Sequence, residues 1–565
     1  MTPLLRAAPL VVVGALAAAC ATIPTSGPIR QGAQVDVAQA DSVIRVIARP
    51  PEPGMTPSEI VTGYIQASAS FEDDHGIARQ YLTPEAGAAW DPTAGTTVYD
   101  GVPTLAPNGP SAVEMTATQV GSVTDQGRYE VSPPGRIIED AFILENVLGE
   151  WRIANPPPGL LLSRSDVDRA FRSYSVYFLD PTFTTLVPDP RLVPVDGPGI
   201  ATSLMQELTT GPTDWLAPAV RTALPDGTAL SVAAVPVVDG VARVDLDASA
   251  LLADDATRQA LSAQITWTLR QVPGVRAIDL NAGGQVLPVP GVPNPQPVDA
   301  WPSFDPNLMA ANAGPYAVIA GRAVRLGGDV PRSVPGGAGI ASPPLTGIAV
   351  SFDGTRIAGL DLSGSLWMGP LASGQVMRKA LDGPGNSRPS FGRDLDAWTV
   401  DPEGVVRQVS QDGTVTEVTV AGVSRRVEIE SVSVSRDGTR AALVVRRGPR
   451  TFVMLAVIVQ REGSPELQSP VRVENRLATV IDVAWADDER LVLLGSNGAE
   501  DIQAYEVDLA RSTLRPVGAP QQATRIAAAP GFATLVQGTD GTLYDSATGS
   551  WRPVSRGSSP AYPGG

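Results

Sequence analysis

The feature that most constrains the fold of this chain is a repeat in its C-terminal half. The segments SFDGTRIAGLDLSGSLWMG at Ser351 and SRDGTRAALVVRRGPRTFVML at Ser435 share the pattern S-x-D-G-T-R-x-A before an apolar strand, and they begin 84 residues apart. Weaker copies lie near Phe391 and Trp485. Units of about 40 to 50 residues with about four short strands each are typical of propeller blades. The sequence therefore predicts a β-propeller of five or six blades over residues 311–560, with one blade completed by strands from both ends.

The N-terminus indicates where the chain is located. Arg6 precedes an apolar run that ends at Ala19, which has about the length of a signal-peptide core and is shorter than the ~20 residues that span a bilayer. Cys20 follows directly, and Thr, Pro, Ser and Gly come after it, which is the composition of a flexible tether. Residues 1–19 resemble a bacterial lipoprotein signal peptide. The resemblance implies S-diacylglycerol and N-palmitoyl groups on Cys20, a lipidated tether over 20–54, and anchoring at the extracytoplasmic face of the plasma membrane.

The alternative is an ordinary secreted protein with a chance cysteine, because Leu16 stands four residues before Cys20 and such signals usually carry Leu three residues before it. Cys20 is the only cysteine of the chain. A lone cysteine cannot form an internal disulfide, and lipidation gives a reason for a free thiol at this position. The sequence therefore favours Cys20 as the site of lipid attachment.

The composition limits the classes of partner. A length of 565 residues allows about three or four domains. The chain has 42 Lys and Arg against 59 Asp and Glu, a net charge of −17. This balance argues against nucleic acid as a partner and against binding to an anionic membrane through basic patches.

The first predicted domain, over residues 55–155, begins with a helix signal. Thr56 is a candidate N-cap and Pro57 follows at the first helical position, with apolar residues spaced along one helical face. A second helix is predicted around Ile77–Leu82, and alternating residues up to Ile153 indicate an antiparallel sheet. The order resembles a small nuclear-transport-factor-like α+β domain, which would either hold a ligand or serve as a spacer.

The second predicted domain, over residues 165–290, has the order strand, strand, helix, two hairpins, helix and strand. Asp226-Gly227 and Asp239-Gly240 are predicted as the hairpin turns, because such pairs tolerate the left-handed backbone that tight turns need. The succession YFLD, LVPV, TGP, ALPDGT, DGVARVDL and TLRQVPGV resembles the GerMN family. That family implies an α+β interaction module without established catalysis.

Proline-rich residues 291–310 are predicted to be a semi-rigid linker before the propeller. The propeller itself resembles bacterial propellers related to the Tol-system periplasmic propeller. The whole arrangement, including TPSEIVTGYIQAS and ARQYLTPEAGAAW in the first domain, resembles the actinobacterial lipoprotein LpqB family. The resemblance implies an accessory protein that works with the sensor kinase MtrB of the MtrA–MtrB two-component system and affects cell division and envelope homeostasis.

Few residues are candidates for catalysis. His75 is the only histidine, so a multi-histidine metal site is excluded and a Ser/His/Asp triad would have to lie outside the second domain and the propeller. The acidic segment Glu72–His75 is interpreted as a solvated loop in preference to a metal or catalytic site. The other acidic candidates are interpreted as turn residues, namely Asp353, Asp412, Asp437, Asp487, Asp488, Glu489 and Asp540.

Four tryptophans of the propeller, Trp367, Trp398, Trp485 and Trp551, would either line a carbohydrate surface or belong to the core, and the core interpretation is favoured.

The sequence thus predicts a multidomain protein with an N-terminal α+β domain, a GerMN-like α+β domain and a C-terminal β-propeller. No catalytic residue, cofactor or metal is predicted, and Cys20 is the one assigned site. The expected partners are the ectodomain of an MtrB-like sensor kinase and, through the anchor, the plasma membrane, with peptidoglycan as a further candidate. A peptidoglycan- or glycan-binding envelope protein or transport adaptor remains the alternative, followed by a propeller hydrolase with paired carboxylates.

Overall fold

The computed structural model describes residues 48–195, 199–328, 330–424, 426–461, 463–498, 501–520, 522–547 and 549–564. The predicted signal peptide, Cys20 and most of the predicted tether lie outside these residues. Lipid attachment at Cys20 therefore stays a prediction.

The first domain is a curved sheet with helices on one side. Its elements are α1 Pro57–Ala67, α2 Gly76–Arg79, α3 Pro84–Ala89, β1 Thr96–Pro107, β2 Ala112–Val123, β3 Tyr129–Val131, β4 Ile137–Val147, β5 Glu150–Ile153, β6 Leu160–Ser163 and α4 Arg164–Ala170. The strand order is β5-β4-β2-β1-β6, with β3 paired to β2. Only the β1–β6 pair is parallel among these strand pairs.

Helix α1 forms where the sequence predicts it. The Thr56 backbone N–H donates to Glu59 Oε2 at 2.7 Å, and the Thr56 hydroxyl accepts from the Glu59 backbone N–H at 3.4 Å. This reciprocal capping box satisfies two donors that a helix start otherwise leaves unpaired. The apolar face of α1, which includes Ile60 and Tyr64, is buried against the sheet.

The second domain surrounds one buried helix. Its elements are β7 Phe171–Leu179, β8 Leu186–Pro194, α5 Ile200–Thr210, β9 Val237–Val238, β10 Val241–Leu246, α6 Asp255–Leu269, β11 Ala277–Ala282, β12 Gln285–Val286 and β13 Gln296–Pro297. Strands β7 and β8 form a separate hairpin, and the other strands form a sheet of order β12-β11-β10-β9 with β13 paired to β11. Helix α6 packs against both sheets, and every residue from Ala260 to Leu269 is buried.

One of the two predicted hairpin turns is confirmed. Asp239 and Gly240 join β9 to β10 with φ angles of 51° and 80°, as a two-residue turn of this type requires. The hairpin prediction at Asp226-Gly227 is wrong. Gly227 does form a tight turn, but the chain after it bonds to the end of β10, with the Ser231 N–H donating to the Asp245 carbonyl at 2.8 Å.

The segment predicted as a semi-rigid linker, 291–310, is packed onto the second domain instead. Gln296 is 1% exposed, and its side-chain oxygen accepts hydrogen bonds from Ser262 on α6 and, at 3.2 Å, from the Trp301 indole N–H. The proline content indicated an extended chain correctly, but it did not reveal that this chain pairs with β11.

The propeller has six blades. Its strands are β14 Tyr316–Ile319, β15 Arg322–Arg325, β16 Arg332–Ser333, β17 Leu345–Val350, β18 Arg356–Asp361, β19 Leu366–Pro370, β20 Arg378–Leu381, β21 Ser390–Phe391, β22 Ala397–Val400, β23 Val406–Val409, β24 Val415–Val420, β25 Glu428–Val434, β26 Arg440–Arg447, β27 Arg450–Arg461, β28 Ser464–Arg472, β29 Thr479–Trp485, β30 Arg490–Ser496, β31 Gln503–Asp508, β32 Thr513–Gly518, β33 Ala523–Ala527, β34 Leu535–Gly538, β35 Thr542–Asp545, β36 Arg552–Arg556 and β37 Ser558–Ala561. Blade 1 consists of β14, β15, β16 and β37, so both ends of the domain meet in it, and blades 2 to 6 take four consecutive strands each. The multidomain fold with a propeller is therefore confirmed.

Side chains join neighbouring inner strands around the centre of the propeller. The Ser559 hydroxyl accepts from the Ile348 N–H at 2.9 Å, the Ser390 hydroxyl from the Val434 N–H at 3.0 Å, and Asp482 Oδ2 from the Ile526 N–H at 2.8 Å. These bonds link blades 1 and 2, 3 and 4, and 5 and 6. They satisfy backbone donors that a central channel would otherwise leave without a partner.

Candidate functional site

The three domains meet at Trp215, in the second domain. The guanidinium of Arg128, from the first domain, lies 4.3 Å from the centre of the Trp215 ring, within the range of a cation–π contact. The Trp215 indole N–H donates to the Ser469 carbonyl of the propeller at 2.7 Å. One side chain of the second domain therefore binds both other domains.

The second domain also packs on the turn between β29 and β30. Asn307, from the segment after β13, donates through Nδ2 to Asp488 Oδ1 at 2.7 Å and accepts from the Asp488 N–H at 2.9 Å. Glu489 accepts a hydrogen bond from the Ser175 hydroxyl on β7. Val457 of β27 belongs to the hydrophobic core of the second domain. The turn interpretation of Asp488 and Glu489 is correct for their position, but these acids also hold the second domain.

Burial raises the pKa of both carboxyl groups in this turn. Burial first, and then the neighbouring charge of Glu489, raises the pKa of Asp488 to about 7. Burial likewise raises the pKa of Glu489. The folded protein therefore binds a proton at this contact more readily than ordinary carboxyl groups would.

The first domain contacts the propeller directly as well. Arg511 forms an ion pair with Asp168 on α4 at 3.2 Å, and it also donates at 2.9 Å to the carbonyl of Phe171, where β7 of the second domain begins. Asn475 donates to the Ser132 carbonyl at 3.1 Å. Each domain thus contacts the two others. These pairings were missed at the sequence level, because no local pattern relates residues that are more than 300 positions apart.

The remaining acidic turn residues serve the backbone of the propeller. Ser410 and the Thr414 N–H donate to Asp412 at 2.5 and 2.9 Å, and these bonds lower the pKa of Asp412 to about 2. Equivalent hydroxyl and N–H donors face Asp353, Asp437 and Asp540. The structure confirms that these four are turn residues.

The cluster around His75 differs from the solvated loop that the sequence predicts. Glu72, Asp73 and Asp74 are exposed, but His75 is 5% exposed and lies 4.6 Å from the Phe71 ring centre. Asp73, Asp74 and His75 have φ angles of 49°, 53° and 57°. With this succession of left-handed residues, the imidazole is buried beside Phe71 while the three carboxylates stay exposed.

The tryptophan side chains of the propeller are structural. Trp398 and Trp485 are buried, at 2% and 1% exposure. Trp367 and Trp551 are partly buried, and their indole N–H groups donate to Asp361 at 2.8 Å and to the Val517 carbonyl at 3.2 Å. The core interpretation is confirmed for Trp398 and Trp485. Trp367 and Trp551 are mostly covered, and a smaller part of each side chain is exposed.

A polar cavity of about 220 Å³ lies at the end of the inner strands opposite the turns that face the second domain. Arg388 crosses it and bonds to Asp482 Oδ1 at 3.3 Å and to the Ile526 carbonyl at 3.3 Å. Arg525 and Glu430 also line this cavity.

Among the described residues, no three His, Cys, Asp or Glu side chains converge on a position where they could hold a metal ion. The described helices also include none with the length and hydrophobicity needed to cross a membrane.

Comparison with known proteins assigns each domain. The family profile described as "Lipoprotein LpqB, N-terminal domain" matches residues 50–168, the profile "Sporulation and spore germination" matches 175–288, and "Lipoprotein LpqB beta-propeller domain" matches 321–563. A Lipoprotein LpqB of Thermobifida fusca is 31% identical over 97% of both chains, and one of Mycobacterium bovis is 30% identical over the full length of both. The chain belongs to the LpqB lipoprotein family.

The LpqB relatives are named as lipoproteins, which indicates a membrane-anchored envelope protein. Among solved structures, TolB from Acinetobacter baumannii is similar at 13% identity over 72% of this chain and 90% of that chain, with a TM-score of 0.33. The tandem GerMN domains of GerM from Bacillus subtilis match 26% of this chain and 56% of theirs, at 19% identity and a TM-score of 0.19.

Proposed function

We propose that this LpqB-family chain is a non-enzymatic accessory protein on the extracytoplasmic face of the plasma membrane, where it regulates a sensor kinase, MtrB of an MtrA–MtrB system. Through that kinase it would affect cell division and envelope homeostasis. The observation that carries the proposal is the junction at Trp215, which ties three interaction modules into one body. A protein built in this way presents several surfaces in fixed relation to each other.

The first and second domains are proposed to contact the kinase ectodomain, while the cavity around Arg388 holds another envelope component. The lipid anchor at Cys20 would confine all three domains to the membrane surface. Confinement raises the effective concentration of the modules toward membrane-protein ectodomains, so weak contacts become occupied.

The acidic residues that a propeller hydrolase could use as catalytic carboxylates make structural hydrogen bonds, which supports a non-enzymatic function. Asp353, Asp412, Asp437 and Asp540 accept hydrogen bonds within their own turns, and Asp488 and Glu489 bind the second domain.

The test is crosslinking capture from native membranes with the natural chain, a Cys20→Ala variant and a Ser26→Ala control in the same predicted tether. We expect the kinase to be captured by the natural chain and by Ser26→Ala, and to be lost with Cys20→Ala. Phosphorylation of the response regulator should change in the same pattern. Equal capture by all three chains, or capture of wall fragments in place of a kinase, would contradict the proposal.

Glycan binding is the second candidate function, and a groove of about 350 Å³ between the first two domains, lined by Phe71 and Phe171, favours it.

A further inference from the structure

A groove of about 350 Å³ separates the first domain from the second. Phe71 and Phe171 line it, with ring centres 5.3 Å apart and ring planes at 87°. A cavity of this size at a domain boundary, with aromatic walls and a few polar groups, is typical of small-ligand sites. It has room for one or two sugar-sized rings.

Two residues that line the groove keep a buried nitrogen without a hydrogen-bond partner. Arg191 is 1% exposed, and its terminal nitrogens bind Glu207, Asp189 and the Gly211 carbonyl, but its Nε has no partner. His75 Nδ1 has none either. Buried polar atoms normally find partners, so these two exceptions call for an explanation.

Both nitrogens suit a hydroxyl group. The Nε–H of Arg191 is a donor, because a guanidinium has no acceptor. Burial lowers the pKa of His75, which favours the neutral ring, and a nitrogen of a neutral imidazole either donates or accepts. A hydroxyl can pair with Nδ1 in either form and can also accept from Arg191.

The charge of the groove excludes anions. Asp125 and Glu207 line it, while Arg191, its one lining cation among the described residues, is already paired with Asp189 and Glu207. Asp74 at the rim is paired with Arg79 at 2.7 Å. The lining residues include Asp74, Asp125 and Glu207 against Arg191, so an anionic ligand would meet net repulsion, which a neutral ligand would not.

We propose that this groove binds a neutral oligosaccharide, with a sugar ring against Phe71 and hydroxyl groups directed to His75 and Arg191. Sugar rings combine an apolar face with hydroxyls that donate and accept, which matches the aromatic wall and the two unpartnered nitrogens. We place the kinase contact of the first two domains outside this groove, so the site rests on the second candidate function, glycan binding, and goes beyond the proposed kinase regulation.

The test is isothermal titration of the chain with neutral trisaccharides of glucose, galactose and N-acetylglucosamine, and with trigalacturonate as the anionic probe. We expect at least one neutral trisaccharide to bind with a Kd below about 1 mM, and trigalacturonate to bind at least tenfold more weakly. Gln206→Trp, at an exposed position of α5 that lines the groove, should weaken binding at least tenfold. Thr210→Trp, exposed on the same helix outside the groove, should leave binding unchanged.

Three outcomes would overturn the proposal: no neutral trisaccharide binds, trigalacturonate binds as tightly, or Gln206→Trp binds like the natural chain. Kinase capture with Gln206→Trp separates the two functions. Loss of sugar binding with capture retained is expected, and a chain that captures no kinase yet binds sugar would reject only the regulatory function.

Discussion

The guanidinium of Arg128 lies 4.3 Å from the centre of the Trp215 ring, and this pair joins the first domain to the second at the point where the propeller also binds. Central aromatic residues of such contacts carry a large share of the interface energy. We therefore expect Trp215→Ala to weaken the packing between domains by about 2 to 4 kcal/mol. Hydrogen exchange should then increase around Ser469 and Arg128.

Trp215→Phe is the matched control for this prediction. It keeps a ring under Arg128 but loses the indole hydrogen bond to Ser469, so the expected loss is about 1 kcal/mol. Unchanged exchange at Ser469 in Trp215→Ala would show that the junction does not hold the domains together.

The contact between Asn307 and Asp488 should depend on pH. Asp488 has a pKa of about 7 in the folded protein against an ordinary value of 3.8, so the folded state binds the proton more tightly. Proton binding by Asp488 therefore adds to the free energy of unfolding. This contribution is fully present below pH 4 and is lost as the pH rises through about 7, at about 1.4 kcal/mol for each unit by which the two pKa values differ. Thermal unfolding of the natural chain should therefore shift to lower temperature between pH 5 and pH 8.

Asp488→Asn should reduce this shift, because an amide can still accept from Asn307 but does not ionise. Asp412→Asn is the control. The pKa of Asp412 is about 2, so this carboxylate is ionised throughout the pH range and its replacement should leave the shift intact. Equal pH dependence of the natural chain and Asp488→Asn would refute the assignment.

Removing only the cation of the buried ion pair between Arg440 and Asp437 should lower the free energy of unfolding strongly. Arg440 Nη2 lies 2.5 Å from Asp437 Oδ2, and both side chains are almost fully buried. Arg440→Met leaves a buried carboxylate without its cation, so we expect a loss of about 3 to 5 kcal/mol in the free energy of unfolding. Urea unfolding measures this change.

Arg446→Met provides the comparison, because its ion pairs with Glu428 and Glu430 are at the surface. The expected loss there is below about 1 kcal/mol. The double variant Asp437→Asn/Arg440→Met should lose less than Arg440→Met alone, and a larger loss would argue against an uncompensated charge as the cause.

Closure of the propeller depends on the segment that includes β37. Tyr562 directly follows this strand, is 2% exposed, and donates its hydroxyl to the Ala533 carbonyl at 2.6 Å. We expect Tyr562→Ala to destabilise the propeller by about 3 to 5 kcal/mol and Tyr562→Phe by about 1 kcal/mol. The urea midpoint should fall more for Tyr562→Ala than for Tyr562→Phe. If both variants keep the midpoint of the natural chain, this residue does not hold the propeller closed.

The features that the sequence predicted well are local ones. The Thr56 cap and the Asp239-Gly240 turn depend on a few neighbouring residues, so the residue types alone determine them. The propeller was predictable because its turn repeats. The sequence also predicted a blade completed by strands from both ends, which the pairing of β14 with β37 confirms. It left the number of blades at five or six, because the copies of the repeat outside Ser351 and Ser435 are weak.

The candidate sites were less predictable, for a related reason. The burial of His75 depends on the left-handed backbone at Asp73 and Asp74. The polar residue types of this segment did not reveal that backbone conformation. The groove requires Phe71 and Arg191 to come together from two domains. The burial of Gln296 likewise depends on Ser262 and Trp301, which a proline-rich sequence does not indicate.

The mutual contact of all three domains has a mechanical consequence. A domain with one neighbour can rotate after losing one set of contacts, whereas each domain here contacts both others. Rotation of any one domain would therefore have to break two interfaces at once, and a change at one interface would be felt at the other two.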